Sequence, residues 1–354
     1  MRFQEIIHQF LASFGENFFW YAAFAFPFFI VFWWLGKQYF KKIRIQTVER
    51  ANNHHFKHDL GFSVSSMLIF TVLDICFLFL ESKGYTKIYF GLGDYGWGWL
   101  IASFFVALVV DDTFFYWSHR LMHAPRLYRF FHKVHHESTD PSPLTAYAFH
   151  PSEAVVEAMA HFILPFLLPI NFGVMIAWQI YSMLNNVIGH LGYEIYPKYW
   201  VNTPILQFKT TSTHHNMHHQ LFNGNYALYF TWWDKWMGTE FKDYKTRHQQ
   251  IFEREETTTT TTDTGAVNVK ATVFGTTYTF NANADQTLLE SALAQGIPLP
   301  YSCQKGRCGM CKMKCTAGKV HLKSHRALTD AEVEEGYVLT CQSQPQTPEI
   351  ALRN

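Results

Sequence analysis

The chain has 354 residues, with 29 lysines and arginines against 28 aspartates and glutamates and a formal net charge of +1. That balance offers no basic surface to neutralise a run of phosphates, so nucleic acid is excluded as a partner. All 11 tryptophans precede residue 250 and five of the six cysteines follow residue 300, a shift of composition that argues for separate domains.

Three apolar stretches, Asn17–Leu35, Leu60–Leu80 and Trp97–Trp117, have roughly the 20 residues a helix needs to cross a hydrocarbon core about 30 Å thick. Lys37, Lys41, Lys42 and Arg44 follow the first, and Arg120, Arg126, Arg129 and Lys133 follow the third, which puts those ends on the cytoplasmic side. Glu16 before the first run, with no basic leader, reads against a cleaved signal peptide. Two shorter runs, Ala154–Pro169 and Phe172–Gly189, are split by Pro169 and Asn171 and either cross as a tight pair or dip in as a hairpin. The expectation is an α-helical integral membrane domain with about four to five membrane helices and a cytoplasmic histidine-rich helical cap, in a bacterial inner membrane.

Twelve of the 19 histidines lie between His119 and His219. Ten of these come as HRLMH (His119, His123), HKVHH (His132, His135, His136), the isolated His190, and HHNMHH (His214, His215, His218, His219). Residues four apart share a helix face, so both imidazoles of such a pair can reach one ion. Packed together without a metal, these rings would be buried without partners at roughly 1–3 kcal/mol each. A divalent metal removes that cost, because neutral imidazole is its common ligand. Iron, zinc, copper and nickel all suit imidazole, but the set is too large for one tetrahedral zinc, and two metals sharing it is the simplest account. Scattered His8, His54, His55, His58, His248, His321 and His325 read as ordinary hydrogen-bonded residues.

HxxxH, HxxHH and HxxHH in this order, with PSPLTAYAFHPSE (Pro141–Glu153), GHLGYE around His190 and the segment from His214 through Asn225 and Tyr226 to WWDKWMGT, resemble the fatty acid hydroxylase and sterol desaturase superfamily over about residues 60–245. The resemblance implies a di-iron site of two non-haem irons held by His119, His123, His132, His135, His136, His190, His215, His218 and His219. His214, His150 and Asn186 stand as further candidates, each as readily an orienting partner of a ligand. Ala227 departs from the family, which has glycine after the Asn-Tyr pair.

Thr257 to Thr264 reads TTTTTTDT, a polar linker that divides a membrane domain (1–250) from a C-terminal domain (266–354) across residues 251–265. Beyond it, VNVKATVF and TTYTFNA alternate like a hairpin around Gly275, and TLLESALAQG reads as a short helix ended by Gly296. Cys303, Cys308 and Cys311 stand at C-x4-C-x2-C, with Cys341 following after 29 residues, the plant-type spacing for a [2Fe–2S] cluster. Gly306 and Gly309 keep that loop tight. Cys315 is left over as a plain thiol, Cys76 sits alone in an apolar run, and the spacing fits a reducing compartment rather than disulfides. The stretch Val267–Ile350 resembles plant-type ferredoxins, above all those attached to oxygenase reductases, which implies an α+β β-grasp fold.

Together the resemblances imply hydroxylation or desaturation at a C–H bond of a membrane lipid, sterol or alkyl group, with O2 as cosubstrate and electrons from the fused ferredoxin. A separate NAD(P)H-dependent ferredoxin reductase would load that ferredoxin, since Gly91, Gly93 and Gly96 form a lone GxGxxG in a short outer loop with no strand before it. Two other readings are a zinc-dependent membrane hydrolase with an appended ferredoxin, and a membrane-tethered electron carrier.

Overall fold

The computed structural model describes residues 3–46, 51–253, 267–273, 276–295, 297, 299–301, 304–307 and 309–353. They divide into two compact units, one within residues 3–253 and the other essentially 267–353. The Thr-rich linker, Gly275 and Gly296 lie outside the described residues.

In the first unit, α1 (Phe3–Phe28), continued by a π-helical stretch Phe29–Leu35, α2 (Asn53–Ser82) and α3 (Gly96–Met122) are long and apolar enough to cross a bilayer. Each runs beyond the apolar stretch from which the sequence locates it at one or both ends. Asn52 caps α2 by accepting the backbone N–H groups of His54 and His55. Between α2 and α3 the strand β1 (Ile88–Tyr89) precedes a turn holding Gly91, Gly93 and Gly96, in which Gly91 N–H donates to Asp94 Oδ2 at 3.1 Å. A strand therefore does stand before these glycines, against the sequence reading, but two residues are too few to show as an apolar alternation.

After α3 comes the single turn α4 (Tyr128–Phe131), then α5 (Pro151–Leu167), strand β2 (Ile170–Asn171) and α6 (Phe172–Gly189). Strands β1 and β2 pair in parallel, Ile88 with Ile170, and Trp99 Nε1 donates to the Pro169 carbonyl at 2.9 Å. The α5–α6 turn therefore reaches the level of the loop between α2 and α3, so this pair runs the depth of the bundle rather than stopping part-way. The cap is completed by α7 (Ser212–Leu221), α8 (Trp232–Met237) and α9 (Tyr244–Glu253).

Polar groups on the membrane helices fasten the cap loops. Asp59 of α2 accepts from the Ser138 and Thr145 hydroxyls at 2.6 and 2.7 Å, and Tyr21 of α1 donates to the Leu144 carbonyl at 2.9 Å. Trp33 donates to the Leu191 carbonyl at 2.7 Å, and Arg44 reaches Asp140 at 2.6 Å. At the end of α3, Asp112 accepts the N–H groups of Tyr229 and Phe230 and the Trp232 indole, while Asp111 accepts from Trp178 and Tyr229. Buried carboxylates so satisfied act as struts.

The second unit carries β3 (Val267–Val273), β4 (Thr276–Ala282), α10 (Leu288–Ala294), β5 (Lys312–Ala317), β6 (Val320–Leu322), α11 (Asp330–Glu334), β7 (Tyr337–Leu339), β8 (Ser343–Pro345) and β9 (Glu349–Arg353). Its main sheet runs β4-β3-β9-β5-β7, with β3 and β9 parallel and the other neighbours antiparallel. Thr287 and Glu290 form a capping box that starts α10, and Leu288, Leu289 and Ala292 of that helix bury against Val269, Phe280, Ile350 and Leu352 of the sheet. This is the α+β ferredoxin architecture expected from the sequence.

Candidate metal centre

The first unit gathers nine imidazoles into two buried groups. His119, His123, His132, His136 and His218 form one and His135, His190, His215 and His219 the other, the nitrogens within each lying within 4.8 Å of one another. These are the nine positions implied by the resemblance, but the groups cut across the sequence boxes. His132 and His136 are four residues apart and face one way, while His135 between them faces the other. In α7, His215 and His219 share a face with four-residue spacing, and His218 turns to the opposite group. His190 enters at the C-terminal end of α6.

Most of these rings are held by their outer nitrogen. Nδ1–H of His119 donates to the Tyr226 carbonyl at 2.8 Å, that of His218 to Gly224 at 2.8 Å, that of His219 to Ser138 at 3.0 Å and that of His190 to Asn186 at 2.8 Å. Nδ1 of His132 is hydrogen-bonded to Glu153, a buried carboxylate in the first turn of α5. With its single proton committed outward, each neutral ring turns a bare Nε2 lone pair inward. Nε2 of His219 then faces Nε2 of His190 at 3.1 Å with no N–H left between them, and the bare Nε2 of His119 faces Nε2 of His132 at 2.8 Å. Facing lone pairs repel, and a shared cation is what makes such an arrangement favourable.

The spacing also bears on coordination. An ion about 2.1 Å from each nitrogen sets neighbours roughly 3.0 Å apart at right angles and roughly 3.4 Å apart at a tetrahedral angle. The Nε2 pairs His123–His218, His136–His218, His135–His190, His190–His215 and His215–His219 stand at 3.2, 2.9, 3.2, 3.0 and 3.1 Å. Edges of this length are ones that an ion within each group can span. Burial holds His123, His132, His135, His136, His215, His218 and His219 well below the usual imidazole range, and His190 down to about 4, so the rings stay neutral and able to ligate at physiological pH.

Three further candidates sit elsewhere. The ring of His150 bonds Ser152 and caps α5, outside both groups. His214 lies 3.5 Å from Asp234 and packs on Tyr244, also outside. Asn186 donates its amide to the Ala146 carbonyl at 2.8 Å and orients His190 through its backbone oxygen. Ala227, where the family has glycine, donates its N–H to Asp234 at 2.9 Å and is buried.

Sequence reasoning missed the orienting partners. Glu153 is visible there only as part of a motif, and the backbone carbonyls of Ser138, Gly224 and Tyr226 carry no side-chain signal. A cavity of about 60 Å³ opens against both groups, touching His119 and His132 of one and His135, His190 and His215 of the other, with Phe115, Phe149 and Leu228 as its apolar wall and Glu157 and Asn185 as polar points.

In the second unit Cys311 and Cys341 are buried with their sulfurs 3.2 Å apart, a hydrogen bond that pushes the Cys341 thiol down to about 6. Cys303 and Cys308 lie outside the described residues. Gly306 and Gly309 have positive φ, +68° and +73°, and a Cβ on Gly306 would meet Gln342 at 2.9 Å, so the loop is as tight as expected. Cys315 is half-buried near the Ala317 carbonyl, and Cys76 is exposed on α2.

Residues 104–239 match the family model described as fatty acid hydroxylase, and residues 271–346 the one described as 2Fe-2S iron-sulfur cluster binding domain. The sequence is 28% identical over 229 residues to a Delta(7)-sterol 5(6)-desaturase, ERG3B, of Gibberella zeae, covering 65% of its own length and 67% of that protein. It is 38% identical over 144 residues to methylsterol monooxygenase 1 of Rattus norvegicus, covering 41% of its own length and 48% of that protein. Among solved structures, the ferredoxin reductase in carbazole 1,9a-dioxygenase is 29% identical, with 25% of the present sequence and 26% of that protein covered and a TM-score of 0.23.

Proposed function

From the premise that this integral membrane protein joins a fatty acid hydroxylase domain of the sterol desaturase superfamily to a 2Fe-2S ferredoxin domain on one polypeptide, we propose that it oxidises a C–H bond of a membrane lipid or sterol-like substrate, using O2 and electrons relayed by its own ferredoxin. The carrying observation is the pair of imidazole groups whose bare Nε2 atoms face one another across distances suited to two ions. Two irons held there would activate O2 for attack on an unactivated C–H bond.

The protein's own residues supply the rest. Backbone carbonyls and Glu153 orient His119, His132, His190, His218 and His219 through Nδ1, so these rings would present Nε2 to a metal without reorganising. Phe115, Phe149 and Leu228 give the cavity beside both groups an apolar patch against which a C–H bond could rest, among polar neighbours such as Glu157 and Asn185. Sulfur ligation by Cys311 and Cys341, with Cys303 and Cys308, would make the second unit a one-electron carrier, and the tether keeps it at high effective concentration. A separate NAD(P)H-dependent reductase would load it. The charge pattern at the ends of α1 and α3 supports placing the imidazole groups and the second unit on the cytoplasmic side.

The zinc hydrolase reading predicts zinc among the imidazoles, and metal analysis of the purified protein separates it from the iron reading. The test is lipid mass spectrometry of cells with and without the gene, followed by replacement of Cys311 with serine. A lipid gaining one oxygen or losing two hydrogens, absent in the C311S strain, is expected. Unchanged lipid oxidation by C311S would contradict electron delivery by the fused domain.

A further inference from the structure

Tyr116 lies in α3 three residues before His119 and is fully buried. The Thr239 hydroxyl donates to Asp234 Oδ1 at 2.7 Å, so its proton is committed, and the 3.0 Å contact between Tyr116 and Thr239 must have the phenol as donor. A directed relay follows, from the Tyr116 phenol to the Thr239 hydroxyl to the Asp234 carboxylate. Asp234 is itself buried and held by the N–H groups of Tyr226 and Ala227 at 2.9 Å. Arg120 donates to the Tyr116 oxygen at 3.2 Å.

Aromatic rings continue on both sides of this phenol. Inward, the Tyr226 ring is 6.3 Å from Tyr116 and 5.7, 5.1 and 5.5 Å from His119, His123 and His218. Outward, Trp233 stacks on Tyr116 at 5.8 Å with an interplanar angle of 18°, and Trp236 lies 5.3 Å beyond it. Trp236 is 65% exposed, so the row runs from one imidazole group to the surface of the first unit. Packing alone explains stacked rings. Burial requires the phenol to find a hydrogen-bond partner, and here that partner is a hydroxyl already turned to pass a proton on to a carboxylate. An oxidised phenol is a strong acid, and tyrosine gives up an electron readily only where a base can take its proton.

We propose that Tyr116 is a redox-active tyrosine, and that Tyr226, Tyr116, Trp233 and Trp236 form a relay that returns an electron to the metal pair when it is oxidised with no C–H bond in place. The inference rests on the di-iron reading above. In each event Tyr116 would lose one electron through Tyr226 to the metals held by the imidazole groups, together with its phenolic proton, which passes through Thr239 to Asp234. Trp236 refills Tyr116 through Trp233, the proton returns, and the oxidised indole is reduced by a cellular thiol; two thiols lose two electrons and two protons to form one disulfide. The relay spares the site from oxidising its own ligands.

The test uses the full, iron-loaded protein, reduced anaerobically with limiting dithionite, mixed with O2 without lipid and frozen for electron paramagnetic resonance. An organic radical is expected, narrowed when the tyrosines are ring-deuterated, absent in Tyr116→Phe and quenched by added glutathione. Trp236→Phe, an exposed position that leaves folding unaffected, should keep its iron and its radical but lose the glutathione quenching. A radical that is unchanged in Y116F, or equal quenching in W236F, would overturn the relay. Full iron and normal lipid product with no radical would sink the relay alone, whereas no iron among the imidazoles would remove both this inference and the function it rests on.

Discussion

In the first unit the candidate ligands come from α3, the segment after it, the end of α6 and α7, spread from His119 to His219, whereas the second unit draws three of its four candidate cysteines from the short stretch Cys303 to Cys311. The contrast extends to what surrounds them. Around the imidazoles, polar residues such as Asp59, Glu153 and Asn216 are buried, and α7 is polar at nearly every position yet almost wholly buried. Around the sulfurs lies an ordinary apolar core of Val269, Phe280, Leu289, Ile350 and Leu352. On the proposed reading the first unit would use its metals as structure, since a cation relieves the facing lone pairs among its buried polar helices. The second would hold its cluster on a fold that already has its own core.

Replacing ligands should break the comparison most visibly. His190→Ala removes a ring whose Nε2 faces those of three others, and should abolish turnover and empty its group of iron, leaving the visible absorption of the sulfur-bound cluster intact. Cys311→Ser should do the reverse, losing the cluster spectrum and turnover while the imidazole iron stays. Iron analysis beside visible spectra checks both, and loss of both centres in either variant would mean that the units do not bind metal independently.

A smaller effect is expected one step from the metal. Glu153→Gln removes the carboxylate that orients His132, and should lower metal affinity or turnover by about 10–100-fold. A competitive chelator titration gives the number. Next in size, chelating the imidazole iron should lower the melting temperature of the first unit by roughly 5–10 °C while the second unit melts unchanged. Differential scanning with a domain-specific signal separates the two transitions.

The smallest effect is on acidity. Burial lowers the imidazoles of the first unit in the folded state, His190 to about 4, so the unfolded state binds more protons than the folded one between about pH 4 and the ordinary value of 6.5. Stability of the metal-free first unit should therefore be full above pH 6.5 and fall as the pH drops toward 4. Denaturant titrations across that window check it. A flat profile would mean that the rings are not held neutral by the fold.

Much of this is legible in the sequence. Spans of 20 apolar residues have few alternatives, and histidines at four-residue spacing have few uses, so the membrane domain and the histidine clusters stand out directly. Cysteine spacing and strand alternation do the same for the second unit. The grouping of the rings escapes a reading of each box as a local set, although helical spacing already parts His135 from His132 and His136. The orienting carbonyls of Ser138, Gly224 and Tyr226 are invisible, since a backbone oxygen looks the same at every residue. So is the wiring of Tyr116 to Asp234 through Thr239, because it joins α3 to residues more than a hundred positions away that only folding brings alongside.

The most direct test is Mössbauer spectroscopy of the full protein, labelled with iron-57 and purified without oxygen. The account predicts about four irons per polypeptide, half in sulfur ligation and half as a nitrogen-ligated, high-spin ferrous pair that changes on exposure to O2. Iron confined to the sulfur-ligated component, with zinc or no metal among the imidazoles, would contradict it.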